Sequence, residues 1–374
     1  MNDHTLRAAA VCLTVAGAWA QAPGEAVRMN QIQVIGSHNS YHAGIAPSET
    51  LLWKKSDPDK LRHLEYRHAP LDEQLSSGVR QIELDIFADS RGGRYAYPAG
   101  PRLVMQAGLP PDPPYDPTGV MLRPGFKVMH MPDVDYRSTC PTLVACLETV
   151  RDWSRRHPGH LPVFIIIETK QTREKSDMPI TVPEKFTGKM LDAVDAEIRS
   201  VFRPEELIVP DDVRGGRRTL EEAVRKDGWP TLAHASGKVV FLMDRKEVGP
   251  AYRRGHPSLR GRVLFTNGDP GRPEAAFIER NDGSREEIAA LVRQGYLVRT
   301  RIDADTEEAR SNATARRDAA FASGAQLLST DYPPAEPASW TGYRVAFPEG
   351  GVARCNPVLV PAACPELELS PSQQ

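Results

Sequence analysis

The sequence predicts a TIM-type (β/α)8 barrel with a long insert after its second strand and a proline-rich C-terminal extension. Three observations predict it. Short apolar, strand-like runs alternate with helical patterns through most of the 374 residues, the order required by a parallel sheet with crossover helices. Eight such runs can be counted, which is the barrel number. Four of them end on residue types that ligate metals or carry protons: His38-Asn39, Glu83-Leu-Asp85, His130 and Glu168. In a parallel barrel the C-terminal strand ends converge on one mouth, so these six side chains would share a pocket. A doubly wound open sheet also alternates strand and helix. However, Gly36-Ser37-His38 after the first strand is not its glycine-rich phosphate fingerprint.

The elements follow in order. Residues 1–20 read as a secretory signal peptide: a basic start with Arg7, a small apolar stretch over 8–16, and Ala18-Trp19-Ala20 as the small-x-small cleavage pattern. The apolar stretch is too short to span a bilayer, so the mature protein is expected outside the cytoplasm, extracellular or periplasmic. The barrel is then assigned to residues 21–334 and the extension to 335–374. Residues 31–35 form the first strand, 71–77 a short helix and 79–87 the second strand. Residues 126–129 form the third strand. An amphipathic helix over 142–156 follows, stopped by His157-Pro158-Gly159. The continuous apolar run 163–167 reads as a strand buried on both faces. Helix 184–201, strands 238–243 and 262–265, helix 285–294, strand 296–302, helix 306–322 and strand 326–329 complete the alternation. Residues 88–125, rich in Gly, Pro and Tyr, show neither periodicity. A loop that long is usually functional or disordered, and here it would lie over the mouth as a lid or an interfacial wedge.

The net charge of −2 argues against a nucleic-acid binder, because phosphate backbones demand basic stripes. Past residue 20 four cysteines remain in two close pairs, Cys140 with Cys146 and Cys355 with Cys364. An even count in a secreted chain points to two disulfides, and proximity favours these pairings. A zinc site is the competing reading, but the spacings are not C-x-x-C and no partner histidine is near.

Glu83 and Asp85 are two apart on a strand and leave the same face. Two carboxylates there repel unless a cation lies between them. With Asn39 and Glu168 the set is all oxygen, which suits a hard cation, calcium before magnesium, and not zinc. The alternative is a structural network with Arg80, Arg299 or Arg301. His38 and His130, beside such a cation, suit phosphoryl transfer, one stabilising charge on phosphorus and one protonating the leaving oxygen. His42, His63, His68, His157 and His160 lack this context and read as ordinary surface or loop residues. Asp135 is a further substrate-binding candidate near the mouth. Asn312-Ala-Thr314 is a formal glycosylation triplet inside a predicted helix.

At these residues the chain resembles the calcium-dependent phosphoinositide-specific phospholipases C. The matching segments are Gly-Ser-His38-Asn39-Ser-Tyr, Ile82-Glu83-Leu-Asp85, Phe126-Lys-Val-Met-His130 and Glu168 after five apolar residues. Residues 128–140, with Glu168-Thr-Lys170, look closest to the secreted bacterial branch. The resemblance covers about residues 30–332. It implies Asn39, Glu83, Asp85 and Glu168 as Ca2+ ligands and His38 and His130 as the catalytic pair, with Glu83 the better guess for general base. It also implies attack of the inositol 2-hydroxyl on the phosphodiester, giving diacylglycerol and a cyclic inositol phosphate. Lys170 and one of Arg299 or Arg301 would hold the headgroup, each arginine being equally a partner for the metal carboxylates. The membrane-binding and EF-hand modules of the eukaryotic enzymes are absent. Asp244 stands near the rim where those enzymes carry phosphate-reading lysines, which favours plain phosphatidylinositol. A monomer touching the membrane peripherally and transiently is expected. The alternatives are a glycerophosphodiester phosphodiesterase, whose usual His-Arg-Gly start is His38-Asn-Ser here, and a non-catalytic barrel that binds lipid headgroups or glycans.

Overall fold

The computed structural model describes residues 27–173 and 180–360. The signal-peptide segment and Cys364, the expected partner of Cys355, lie outside them. Eleven strands are present among the described residues: β1 (Ile32–Ser37), β2 (Gln81–Asp89), β3 (Gly125–Val128), β4 (Val163–Thr169), β5 (Leu207–Ile208), β6 (Val239–Met243), β7 (Leu264–Thr266), β8 (Phe277–Glu279), β9 (Leu297–Arg301), β10 (Leu327–Thr330) and β11 (Ala353–Cys355). Eight of them form a parallel ring in the order β1-β2-β4-β6-β7-β8-β9-β10 and back to β1. The β7–β8 seam is a single parallel bridge, Asn267 to Phe277. It is reinforced by the Glu279 amide donating to Asn267 Oδ1 at 3.1 Å.

The barrel number was legible, but one of its members was missed and one strand outside it was counted in its place. The run 126–129 is not a barrel strand. β3 pairs antiparallel with the outer end of β2, Ile86 with Val128 through Asp89 with Gly125. β2 is nine residues long and overshoots the mouth, so the chain returning from the insert zips onto it as a hairpin. The missing member is β8, three residues between a turn and Arg280, too short to show a period. Helix 306–322 is in fact two, Glu307–Ser311 and Ala315–Ser323, divided at exposed Asn312, whose φ of 52° is left-handed.

Local chemistry accounts for the elements that frame the site. Thr142 caps the helix Leu143–Arg156 by accepting from the Ala145 amide. That helix buries Leu143, Cys146, Leu147, Val150 and Trp153, a stripe at helical spacing facing the barrel. The Cys140–Cys146 disulfide ties its first turns to the loop before it. The insert 88–125 is packed and has a helix of its own, Ala99–Gln106. Phe87, Tyr95, Met121, Met129 and Tyr136 form a second apolar core beneath it. The C-terminal segment adds β11 to β1 antiparallel and sinks Ala338, Tyr343, Val345 and Phe347 into the main core.

Candidate active site

β1 and β2 approach so closely at the mouth that a Cβ on Gly36 would lie 2.1 Å from Gln81 Oε1. The chain then turns through Asn39, whose φ of 46° is left-handed and tolerable for Asn. This turn buries the Asn39 amide: its Nδ2 donates to Tyr66 Oη at 2.8 Å and its Oδ1 accepts from Tyr41 Oη at 3.2 Å.

Glu83 and Asp85 point the same way from β2, and Glu168 faces them from β4, paired with Asp85 in register. All three are buried, and one oxygen from each lies within 4.8 Å of the others. Asp85 Oδ1 has no hydrogen-bond partner among the described residues. Lys170 Nζ is 3.1 Å from Asp85 Oδ2 and 3.3 Å from Glu168 Oε1, and Arg245 also donates to Glu168. Burial and the adjacent charges of Glu168 and Glu83 push the Asp85 carboxyl far up. Burial likewise pushes Glu83 up to about 7 against the pull of Arg299. Glu168 goes the other way despite its burial, down to about 2, because Lys170 and Arg245 flank it. Lys170 beside Asp85 and Arg299 beside Glu83 thus do not offset the burial of those two carboxylates. The donor set, hard oxygen with an orphaned lone pair, fits Ca2+.

His38 Nδ1 is 2.8 Å from Asp331 Oδ1, and its Nε2 lies 3.8 Å from Glu83 Oε1. Burial and the Arg301 guanidinium hold the His38 imidazolium well below its usual range, although Asp331 opposes them. His130 Nδ1 is 2.8 Å from Asp135 Oδ2. Because a carboxylate only accepts, each Nδ1 carries the proton and each Nε2 is left with its lone pair. His130 reaches the pocket from the returning hairpin strand, not from a parallel strand end: the Met129 amide donates to Asp85 O at 3.4 Å.

Arg299 is buried and committed. It bonds Glu83 and Glu279, Asn281 Oδ1 at 2.7 Å and Ser329 Oγ at 3.1 Å. Arg301 holds Asp331 at 3.0 Å and the Asp303 carbonyl at 3.0 Å. Both arginines and Lys170 thus already serve carboxylates of the cluster.

Several functional neighbours escaped sequence reasoning. Asp331 follows the apolar run of β10 as Glu168 ends that of β4, a signal that could have found it. Glu279 was hidden with its unrecognised strand. Arg245, beside Asp244, carried no local mark. Three histidines read as ordinary are buried. His42 Nε2 is 2.8 Å from Asp135 Oδ1. His68 bridges the His38 carbonyl, at 2.9 Å, and Glu336. His160 sits between Ser154 Oγ and the Leu161 carbonyl.

Comparisons with known proteins bear on the family and the fold. The family model described as phosphoinositide phospholipase C, Ca2+-dependent, matches residues 27–357. Among solved structures, the calcium-dependent phosphoinositol-specific phospholipase C of a Pseudomonas species, in its apo form with myo-inositol, is 18% identical. The match covers 88% of this chain and 95% of that one, with a TM-score of 0.53. The Ca2+-dependent phosphatidylinositol-specific phospholipase C of Streptomyces antibioticus is 19% identical over 82% and 95%, with a TM-score of 0.51. At these identities the likeness bears on the barrel. A search of curated proteins gave no match.

Proposed function

The chain belongs to the Ca2+-dependent phosphoinositide phospholipase C family of enzymes, and from that premise we propose that it cleaves phosphatidylinositol to diacylglycerol and an inositol phosphate, cyclic when first formed. The observation that carries this reading is the pairing of a buried three-carboxylate set with two histidines, each turned by its own buried aspartate to present Nε2. Asn39, Glu83, Asp85 and Glu168 would hold Ca2+, which when bound acidifies the attacking hydroxyl and offsets charge on the phosphate.

The remaining roles fall to the chain's own groups. Glu83 is the base for the inositol 2-hydroxyl, since it stands between the carboxylate set and His38, with Oε1 3.8 Å from His38 Nε2. His38, beside Glu83 and fixed through Nδ1–H by Asp331, presents Nε2 to the phosphoryl oxygens and donates to them once it takes up a second proton as the imidazolium, the form that charge building on phosphorus favours. His130, fixed by Asp135, gives its proton to the departing diacylglycerol oxygen. Lys170 and Arg245, at the rim of the carboxylate set, orient the phosphate. Arg299 and Arg301 hold Glu83 and Asp331 and take headgroup contact through them. The Cys140–Cys146 disulfide supports the reading of an oxidising compartment and hence of a secreted enzyme; a monomer in transient contact with the membrane surface completes the proposal.

Phosphorus NMR of the protein with phosphatidylinositol micelles tests this, first with calcium and then with excess chelator. A calcium-dependent inositol phosphate signal, lost in His38→Ala and His130→Ala, is expected. Cleavage of glycerophosphoinositol with phosphatidylinositol left intact transfers the assignment to a glycerophosphodiesterase. Turnover of neither leaves a headgroup-binding barrel.

A further inference from the structure

The Asp135 carboxylate is shared. One oxygen, Oδ2, takes the Nδ1 proton of His130 at 2.8 Å, and the other, Oδ1, lies 2.8 Å from Nε2 of a second histidine, His42. His42 is completely buried, as is Asp135, and the two imidazole rings stand nearly perpendicular with centroids 6.2 Å apart. His42 Nδ1 has no partner among the described residues. With a carboxylate on one side and nothing on the other, the imidazole is the Nε2–H tautomer and donates to Asp135.

This donor has a mechanical consequence. The Asp135 backbone is fixed by a tight turn, with amide and carbonyl both exchanged with Met131 at 3.0 and 2.8 Å. Its carboxylate can still rotate about the final side-chain bond unless both oxygens are engaged, and His42 engages the second. His42 is itself immobile. Its amide donates to the Asn39 carbonyl at 2.8 Å, its carbonyl accepts from His68 at 2.8 Å, and its ring packs on Tyr66 at 4.4 Å. His68 in turn bonds the His38 carbonyl. One buried residue therefore braces both sides, its backbone the loop of the first histidine and its ring the orienting carboxylate of the second.

We propose that His42 is a positioning residue for leaving-group protonation, locking the Asp135 carboxylate so that His130 Nε2 is held toward the departing oxygen. The inference rests on the reading of His130 as that acid. Misplacing a catalytic group by about an ångström costs on the order of a hundredfold, and the demand for an acid vanishes when the leaving group is itself a weak base.

The test uses calcium-loaded enzyme and two substrates: phosphatidylinositol, which expels an alkoxide, and 4-nitrophenyl inositol phosphate, which expels a phenolate needing no proton. His42→Phe removes the donor within the same cavity, while His42→Gln keeps an N–H near the Nε2 position. His42→Phe is expected to lower kcat on phosphatidylinositol by about 10- to 100-fold with KM nearly unchanged. It should affect the nitrophenyl substrate less than about threefold, and His42→Gln should restore most of the loss. Wild-type kcat on phosphatidylinositol in His42→Phe overturns the proposal, and so do equal losses on both substrates, the mark of general disruption. Nitrogen NMR of the wild-type protein tests it without any variant, since a His42 Nε2 that carries no proton overturns it. If His130→Ala turns over phosphatidylinositol normally, the acid assignment itself has failed, which separates that failure from failure of the His42 role.

Discussion

Replacing Arg299 by Met separates a scaffold from a substrate-binding arm. The guanidinium is 3% exposed in its side chain and lies between Glu83 and Glu279, themselves 3% and 6% exposed. Met keeps most of the volume but strands two carboxylates in a dry interior. Breaking a buried ion pair from one side typically costs about 3–5 kcal/mol, because the remaining charge loses its compensation. With an unfolding entropy of about 2.1 cal/mol/K per residue, the described residues 27–173 and 180–360 together lose roughly 0.7 kcal/mol per degree near the midpoint. The expected fall in Tm is therefore about 4–7 °C in metal-free protein, read by differential scanning calorimetry in chelator. Arg299→Lys should fall between, since one ammonium cannot span both carboxylates as the fork does. A Tm within one degree of wild type, together with a KM for phosphatidylinositol raised tenfold, would refute the reasoning and return Arg299 to direct headgroup contact.

Calcium at 100 times its Kd should stabilise the protein by about 2.7 kcal/mol, roughly 4 °C, and Asp85→Asn should abolish that shift; an unchanged calcium response in the variant excludes Asp85 as a ligand. His160, which burial pushes down to about 4 from 6.5, prefers to be uncharged in the fold. Its contribution is complete above pH 6.5 and is lost as the pH falls from 6.5 toward 4, because the unfolded chain then binds the proton more tightly. Urea midpoints at pH 7 and pH 5 should accordingly differ by about 2 kcal/mol less in His160→Asn than in wild type, and equal pH slopes in the two proteins count against it. Gly36→Ala drives a methyl to 2.1 Å from Gln81 Oε1 and 2.6 Å from Gln81 Cβ. It should cost about 1–3 kcal/mol, and a variant as stable as wild type in urea would show that β1 and β2 are not so tightly apposed.

The sequence by itself determined the barrel class and the shared face of Glu83 and Asp85, because both depend on short-range periodicity. A strand alternates every second residue wherever it is placed, and an apolar run ending in a ligand keeps that order in any context. The capped helix Leu143–Arg156 and the close cysteine pair Cys140 and Cys146 were readable for the same reason. Tertiary structure alone decided who pairs with whom. Nothing near residue 126 reveals that β3 turns back on β2, since that depends on how far β2 overshoots the mouth. Three residues of β8 hold less than two periods of alternation and stay invisible until β9 pairs with them. The partners of the site stand far off in the chain: Asp331 is 293 residues from His38, Arg299 is 216 from Glu83, and Asp135 is 93 from His42. Local pattern marks which side chains carry chemistry. Which carboxylate orients each histidine, and which arginine is consumed in holding a carboxylate, is settled when barrel closure brings the strand ends together and desolvation leaves no group without a partner at low cost.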